Sequence, residues 1–163
     1  MSVGEAPTSA DIERVSAQLG RPARNIVGIA ARCACGAPVV VVTSPRLEDG
    51  TPFPTLYYLT QPAATQAASR LEAAGKMADY QKRLLEDSDA RALYRRAHDS
   101  YISARDELGS VEEIAGISAG GMPERVKCLH SLMAHSLSVG LGINPVGDWA
   151  LEDSDWTPEV CQC

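Results

Sequence analysis

Apolar side chains in the first third of the chain come in short β-branched runs, whereas from Pro62 onward they return every three or four positions. The first pattern is that of strands and the second that of helices. A short helix is expected over residues 11–19, where Ile12, Val15 and Leu19 share a face and Gly20 supplies a stop before Arg21-Pro22. Ile26–Arg32 and residues 39–43 read as two strands. The connection between them, Cys33 to Pro38, contains Gly36 and suits an antiparallel hairpin. A third strand over 55–60 follows the Asp49-Gly50 turn and the two prolines flanking Phe53, which hold the chain extended.

Pro62 suits the first position of a helix that Gly75 ends. A second helical piece over 77–85 precedes Asp87-Ser88-Asp89, a capping sequence for a long helix over 90–108. In that helix Tyr94, Ala97, Tyr101, Ala104 and Leu108 form a seam that wants a partner. Its other face is charged, and Arg70 to Glu107 holds eight basic and eight acidic residues: a solvated surface, or a docking face for a protein partner. A small-residue loop over 116–121 leads to Pro123, the expected start of a last helix that runs to Val139. Gly140 and the following Asn144-Pro145-Val146-Gly147 terminate it.

These elements predict an α+β fold, a small antiparallel sheet of about three strands packed against several helices. Residues 1–10 are expected to be disordered and 11–147 to form a single α+β domain, because 163 residues supply too few apolar side chains for two cores. Residues 148–163 read as an acidic tail, ordered only where Trp149 or Trp156 docks.

Composition narrows the function classes. With 45% hydrophobic and 22% charged residues the balance is that of an ordinary globular protein. No apolar stretch approaches the ~20 residues that span a bilayer, and the first ten residues lack the basic and apolar regions of a secretory signal. A cytoplasmic location without a membrane partner is the expectation. Net charge is −6, but the last sixteen residues carry five acidic side chains and no Lys or Arg. The body is therefore nearly neutral, which argues against nucleic acid as a partner. Five cysteines in a reducing compartment read as free, metal-bound or reactive thiols rather than a disulfide framework.

The richest chemistry lies in Lys127-Cys128-Leu129-His130 and nearby His135, which together hold two of the three histidines. On a straight helix Cys128 and His135 share a face about 10.5 Å apart along the axis, while His130 points almost opposite. The three cannot then ligate one ion, although an irregular first turn would bring Cys128 and His130 together. Three uses are open. Cys128 is a candidate nucleophile or general acid, with His130 or His135 as base, its thiolate favoured by the helix start and by Arg125 and Lys127. Gly120, Gly121, Arg125 and Lys127, with Arg32, form a candidate cradle for a phosphorylated or otherwise anionic small molecule. Alternatively Cys33 and Cys35 form a two-thiolate claw that Cys128 and His130 complete around zinc.

Against these stands plain packing, since free cysteine is among the most buried residue types and His98, His130 and His135 have apolar neighbours. Cys161 and Cys163 are expected to belong to a loose tail, with a two-plus-two arrangement on Cys33 and Cys35 as the other option. The two function classes are thus a small enzyme or binding protein for an anionic metabolite, and a non-enzymatic accessory protein with a structural zinc or thiol site and a helix-bound partner.

Arg32-Cys33, the run from Asp49 to Thr60, Leu71-Glu72-x-x-Gly75, Val126-Lys127-Cys128-Leu129-His130, His135 and Asn144-Pro145-Val146-Gly147 together resemble the bacterial family called domain of unknown function 501 (DUF501), over about residues 11 to 150. The resemblance implies no particular reaction. It marks Arg32, Cys33, Lys127, Cys128, His130, His135 and Asn144 as the retained polar set. The chain departs from the family pattern at Gln61, where many members have cysteine, and at Leu132, where some have histidine. The central structural expectation is that the hairpin tip folds back onto the start of the last helix, gathering thiols, imidazoles and positive charge around one pocket.

Overall fold

The computed structural model describes residues 3–163. Six helices surround a three-stranded antiparallel sheet in the order β1-β2-β3, with β1 at Ile26–Arg32, β2 at Pro38–Thr43 and β3 at Tyr57–Leu59. Every residue of β2 is buried. That is the demand a central strand makes when both faces are covered, and it explains the unbroken Val39-Val40-Val41-Val42 run. Val40 and Val42 enter the main core, while Val41 joins Val15 and Ile29 in a smaller cluster beneath α1, Ser9–Leu19. Burying each of these valines contributes about 1.5–3 kcal/mol.

The N-terminal segment is more structured than its composition suggests. Glu5 pairs with Ile29 through backbone bonds of 2.9 and 2.8 Å, extending the sheet edge. Thr8 and Asp11 form a reciprocal capping box at the start of α1. Arg32 donates to both Asp11 oxygens at 2.8 and 3.0 Å, pairs with Glu5 and reaches the Gly36 carbonyl. The Arg32 guanidinium holds the Asp11 carboxyl well below the usual carboxylate range. Disorder expected through residue 10 is therefore replaced by capping and pairing from Glu5 onward, while Met1 and Ser2 lie outside the described residues.

Helices α2, Pro62–Ala73, α3, Lys76–Glu86, and α4, Ser88–Asp106, follow the expected spacing, with Pro62 in the first turn of α2 and Asp87 capping α4. Tyr94, Ala97 and Tyr101 of the α4 seam are fully buried, and Ala104 and Leu108 pack at its end. The Tyr101 hydroxyl accepts from the Leu56 amide at 2.7 Å and so ties the helix to the entry of β3. No helix among the described residues is long and apolar enough to cross a membrane.

The C-terminal region departs from expectation twice. The last long helix, α5, spans Leu129–Val139 and does not begin at Pro123. The intervening amides are already satisfied in other ways: Arg125 and Lys127 donate to the Gly121 and Gly120 carbonyls, and Val126 donates to the Gln81 side chain. Gly120 and Gly121 both have positive φ, and a Cβ on either would press within 2.7 Å of Leu132 or the Arg125 carbonyl. A further helix, α6, covers Pro145–Asp153, capped by Asn144. It crosses α5 so closely that a Cβ on Gly147 would lie 2.2 Å from the Leu132 carbonyl oxygen. Beyond α6 the tail is anchored rather than loose, since Trp156 is 3% exposed and the Ala34 amide donates to the Pro158 carbonyl.

Candidate functional site

Because α5 starts at Leu129, Cys128 occupies its N-cap in an extended conformation, φ −151°. The 200° separation that a continuous helix would impose on Cys128 and His130 therefore does not apply, and the two side chains meet. A third group joins them from α2. Glu72 places Oε1 3.2 Å from Nδ1 of His130, while Oε2 accepts the Leu129 amide at 2.8 Å. One ligand atom from each of Glu72, Cys128 and His130 lies within 4.8 Å of the others, near enough to share a cation. Ser69 Oγ sits 3.2 Å from Nε2 of His130, and Ser131 donates to the Cys128 sulfur at 3.4 Å.

The electrostatics follow from that geometry. Burial on its own would raise the Cys128 thiol, but hydrogen bonds from His130 and Ser131 outweigh it and bring the thiol down. His130 moves up, first through its bond to Cys128 and then, against partial burial, through Glu72. The two shifts bring the proton affinities of the thiol and the imidazole closer together, with the Glu72 carboxylate behind the imidazole. Cys128, His130 and Ser131 line a cleft of about 430 Å³ whose other wall includes Thr55, Tyr57, Tyr58 and Thr65. Among the described residues no Lys, Arg, Asp or Glu lines it.

His135 takes no part in this group. It is 1% exposed, stacked on Tyr57 with ring centroids 5.8 Å apart and edge-on to Tyr101 at 5.1 Å. Its Nδ1 lies 3.1 Å from the side-chain nitrogen of Asn144, which can only donate, so Nδ1 is the acceptor and the ring is neutral. Burial pushes its pKa down to about 4. As a base for Cys128, His135 is replaced by a packing and capping role that it shares with Asn144. His98 likewise packs, its Nδ1 2.7 Å from Ser118 Oγ.

The expected anion cradle is not assembled. Arg32 is engaged with Asp11 and Glu5, and Arg125 and Lys127 have exposed side chains with their amides already bonded. The position at the α5 N-terminus where an anion would sit is filled by the carboxylate of Glu72.

The zinc claw also divides differently. Cys33 and Cys35 do not converge with Cys128 and His130; they meet Cys161 and Cys163, all four sulfurs lying within 4.8 Å of one another. The hairpin tip thus meets the C-terminal tail, because the tail crosses it at Ala34–Pro158 while β3 and α2 occupy the flank facing Cys128. This cysteine group has the composition and proximity to hold a metal ion.

The sequence reading missed Glu72, Ser69 and Ser131. Glu72 looked like one charge among sixteen on a solvated face, and nothing local to it signals a partner 57 residues away.

A family model described as Protein of unknown function (DUF501) matches residues 29–152. No curated protein matches the chain, and no solved structure does. The match covers most of the chain, which therefore belongs to the DUF501 family.

Proposed function

We propose that this DUF501 member is a small thiol-dependent enzyme, with Cys128 as nucleophile, His130 as its general base and acid, and Glu72 as the residue that positions the imidazole. The observation that carries the reading is the double engagement of Glu72. Its carboxylate holds His130 Nδ1 with one oxygen and the first amide of α5 with the other. A thiol with an imidazole atom within 4.8 Å, and a carboxylate bonded to that imidazole, supports an arrangement that activates a thiol. Both Glu72 oxygens are committed to N–H donors, which supports an orienting role over metal ligation.

The cleft beside Cys128 is walled by hydroxyl, aromatic, aliphatic and amide side chains, without Lys or Arg among the described residues, which favours a small uncharged acyl compound over the phosphorylated ligand that basic residues would suit. In the first step His130 takes the Cys128 proton, and the thiolate adds to the acyl carbon as the carbonyl π pair moves onto oxygen. Collapse of that adduct restores the carbonyl and expels the leaving group with its bonding pair; the leaving group takes the proton from His130, and a thioester remains on Cys128. Water then gives a proton to His130 and attacks the thioester carbon. The C–S bond breaks, sulfur recovers the proton, and the acid product leaves.

The test is alkylation of the full-length protein with iodoacetamide under reducing conditions, resolved by peptide mass spectrometry, alongside hydrolysis of p-nitrophenyl acetate. Cys128 should be modified readily at neutral pH, with its rate falling in His130→Gln as the thiol pKa rises. Ester hydrolysis should vanish in Cys128→Ser. Equal Cys128 reactivity in wild type, His130→Gln and Glu72→Gln, or hydrolysis that survives Cys128→Ser, overturns the reading.

A further inference from the structure

The structure assigns a second site, independent of the Cys128 cleft: we infer that Cys33, Cys35, Cys161 and Cys163 bind one zinc ion that clips the C-terminal tail across the β1–β2 turn. Observations on two separate stretches of chain point the same way. All four sulfurs fall within 4.8 Å of one another, and Cys35 Sγ lies 3.6 Å from Cys163 Sγ. Tetrahedral zinc with Zn–S bonds of about 2.3 Å requires sulfurs about 3.8 Å apart, so little movement is needed to coordinate the ion. The thiols are free rather than paired in disulfides.

The first pair is presented by a shaped turn. The Gly36 amide donates to the Cys33 carbonyl at 2.8 Å, the Cys33 amide donates to the Ala37 carbonyl at 2.8 Å, and Gly36 takes φ +91°, a conformation that disfavours any side chain. This loop brings two thiols separated by one residue to the same side. The tail supplies the same spacing in Cys161 and Cys163, held in place by the Ala34 to Pro158 backbone bond and by buried Trp156.

The surroundings are those of a thiolate site. Gln61 is 1% exposed and its side-chain amide donates to Cys163 Sγ at 2.9 Å. Such N–H groups orient and stabilise sulfur that carries charge. Arg14 lines the same two depressions as Cys163, one of which Asp11 also lines. On binding, Zn²⁺ displaces four thiol protons to solvent as four S–Zn bonds form, with no change of oxidation state. A redox pair would need two converging thiols, whereas here four converge, one of them the buried Cys33.

The experiment uses the full chain, expressed in zinc-supplemented medium, purified with a reductant and without chelator, and assayed by inductively coupled plasma mass spectrometry. One zinc per chain is expected in wild type and in Cys128→Ser. Background zinc is expected in the Cys161→Ser/Cys163→Ser double variant, whose substitutions lie in an exposed tail, with far-UV circular dichroism checking that the fold persists. Replacing zinc by Co²⁺ should give the intense visible absorption of a tetrahedral thiolate complex in wild type, absent from the double variant. Wild type that binds neither ion after reconstitution, zinc retained in full by the double variant, or a Cys35–Cys163 disulfide in the reduced preparation each overturns the assignment. Loss of zinc in Cys128→Ser would place the ion at the Glu72 group instead, and would count against both sites as assigned.

Discussion

The side-chain amide of Asn144 donates to Nδ1 of His135 across 3.1 Å, while its carbonyl oxygen caps α6 by accepting the Gly147 amide at 3.1 Å. One residue thus fixes the tautomer of a core histidine and the start of the following helix. The pair is sealed by Tyr57 and Tyr101, and nothing in that pocket supplies a counter-charge.

Stability should therefore fall on acidification through a defined window. Burial lowers the His135 pKa from 6.5 to about 4, so the unfolded chain binds the extra proton first. The stabilising contribution is complete above pH 6.5, erodes as pH falls and is gone below about pH 4, amounting to about 3 kcal/mol. Urea unfolding of wild type and His135→Phe between pH 4 and 7 checks this. The difference between their stabilities should change with pH in that interval, and a constant difference would show that His135 does not titrate there.

His130 should behave in the opposite sense. Its folded pKa is raised by Cys128 and then by Glu72, so its share of stability is present at low pH and lost as pH rises through the folded value. Histidine NMR titration should place His130 above 6.5 in wild type, and lower in both Cys128→Ser and Glu72→Gln. Because Glu72 also accepts the first amide of α5, Glu72→Ala should in addition cost about 1 kcal/mol of stability, the usual worth of a helix N-terminal partner.

Arg105 is 1% exposed and donates to the carbonyls of Pro54 and Ile114 at 2.8 and 2.9 Å. It joins the loop before β3 to the short 3-10 turn at Glu112–Ile114, neither of which pairs in a ladder there. Arg105→Met keeps much of the volume and leaves the Pro54 carbonyl without a donor, while the Ile114 carbonyl keeps the Ile117 amide, and should destabilise by about 1–3 kcal/mol. Arg96, exposed on the same helix, serves as control, with Arg96→Met within about 0.5 kcal/mol of wild type.

Gly147→Ala should be costly although φ is ordinary there. The new methyl group would meet the Leu132 carbonyl and Ser136 Oγ, both 2.2 Å away, and α5 and α6 would have to move apart. A loss of about 1–3 kcal/mol is expected from such overpacking, read as a lower denaturant midpoint with an unchanged slope. Gly142→Ala, in open space but at φ +97°, tests backbone strain alone.

Much of the architecture was written locally. The β-branched run of β2, the Tyr94–Ala97–Tyr101 seam, Pro62 at the start of α2 and the Asp87 cap are decided by neighbours within one or two turns, so period and capping rules reach them. Pro123 misled for the same reason: it satisfies a local rule for starting a helix, yet the following amides are taken by Gly120, Gly121 and Gln81. Arg105 misled as well, since a basic residue on a charged helix gives no sign of carbonyls arriving from two loops.

By itself the sequence determined which residue types were available for chemistry, an α+β order of elements, and a segment, residues 127–130, in which a thiol and an imidazole lie close in the chain. Only the tertiary structure decided their partners. Glu72 reaches Cys128 and His130 because α2 packs beside α5, and Cys33 and Cys35 meet Cys161 and Cys163 because the tail returns across the hairpin. Hydrogen bonds and metal ligation act over 2–4 Å, and residues separated by 57 to 128 positions come within that range only through packing, which periodicity does not encode.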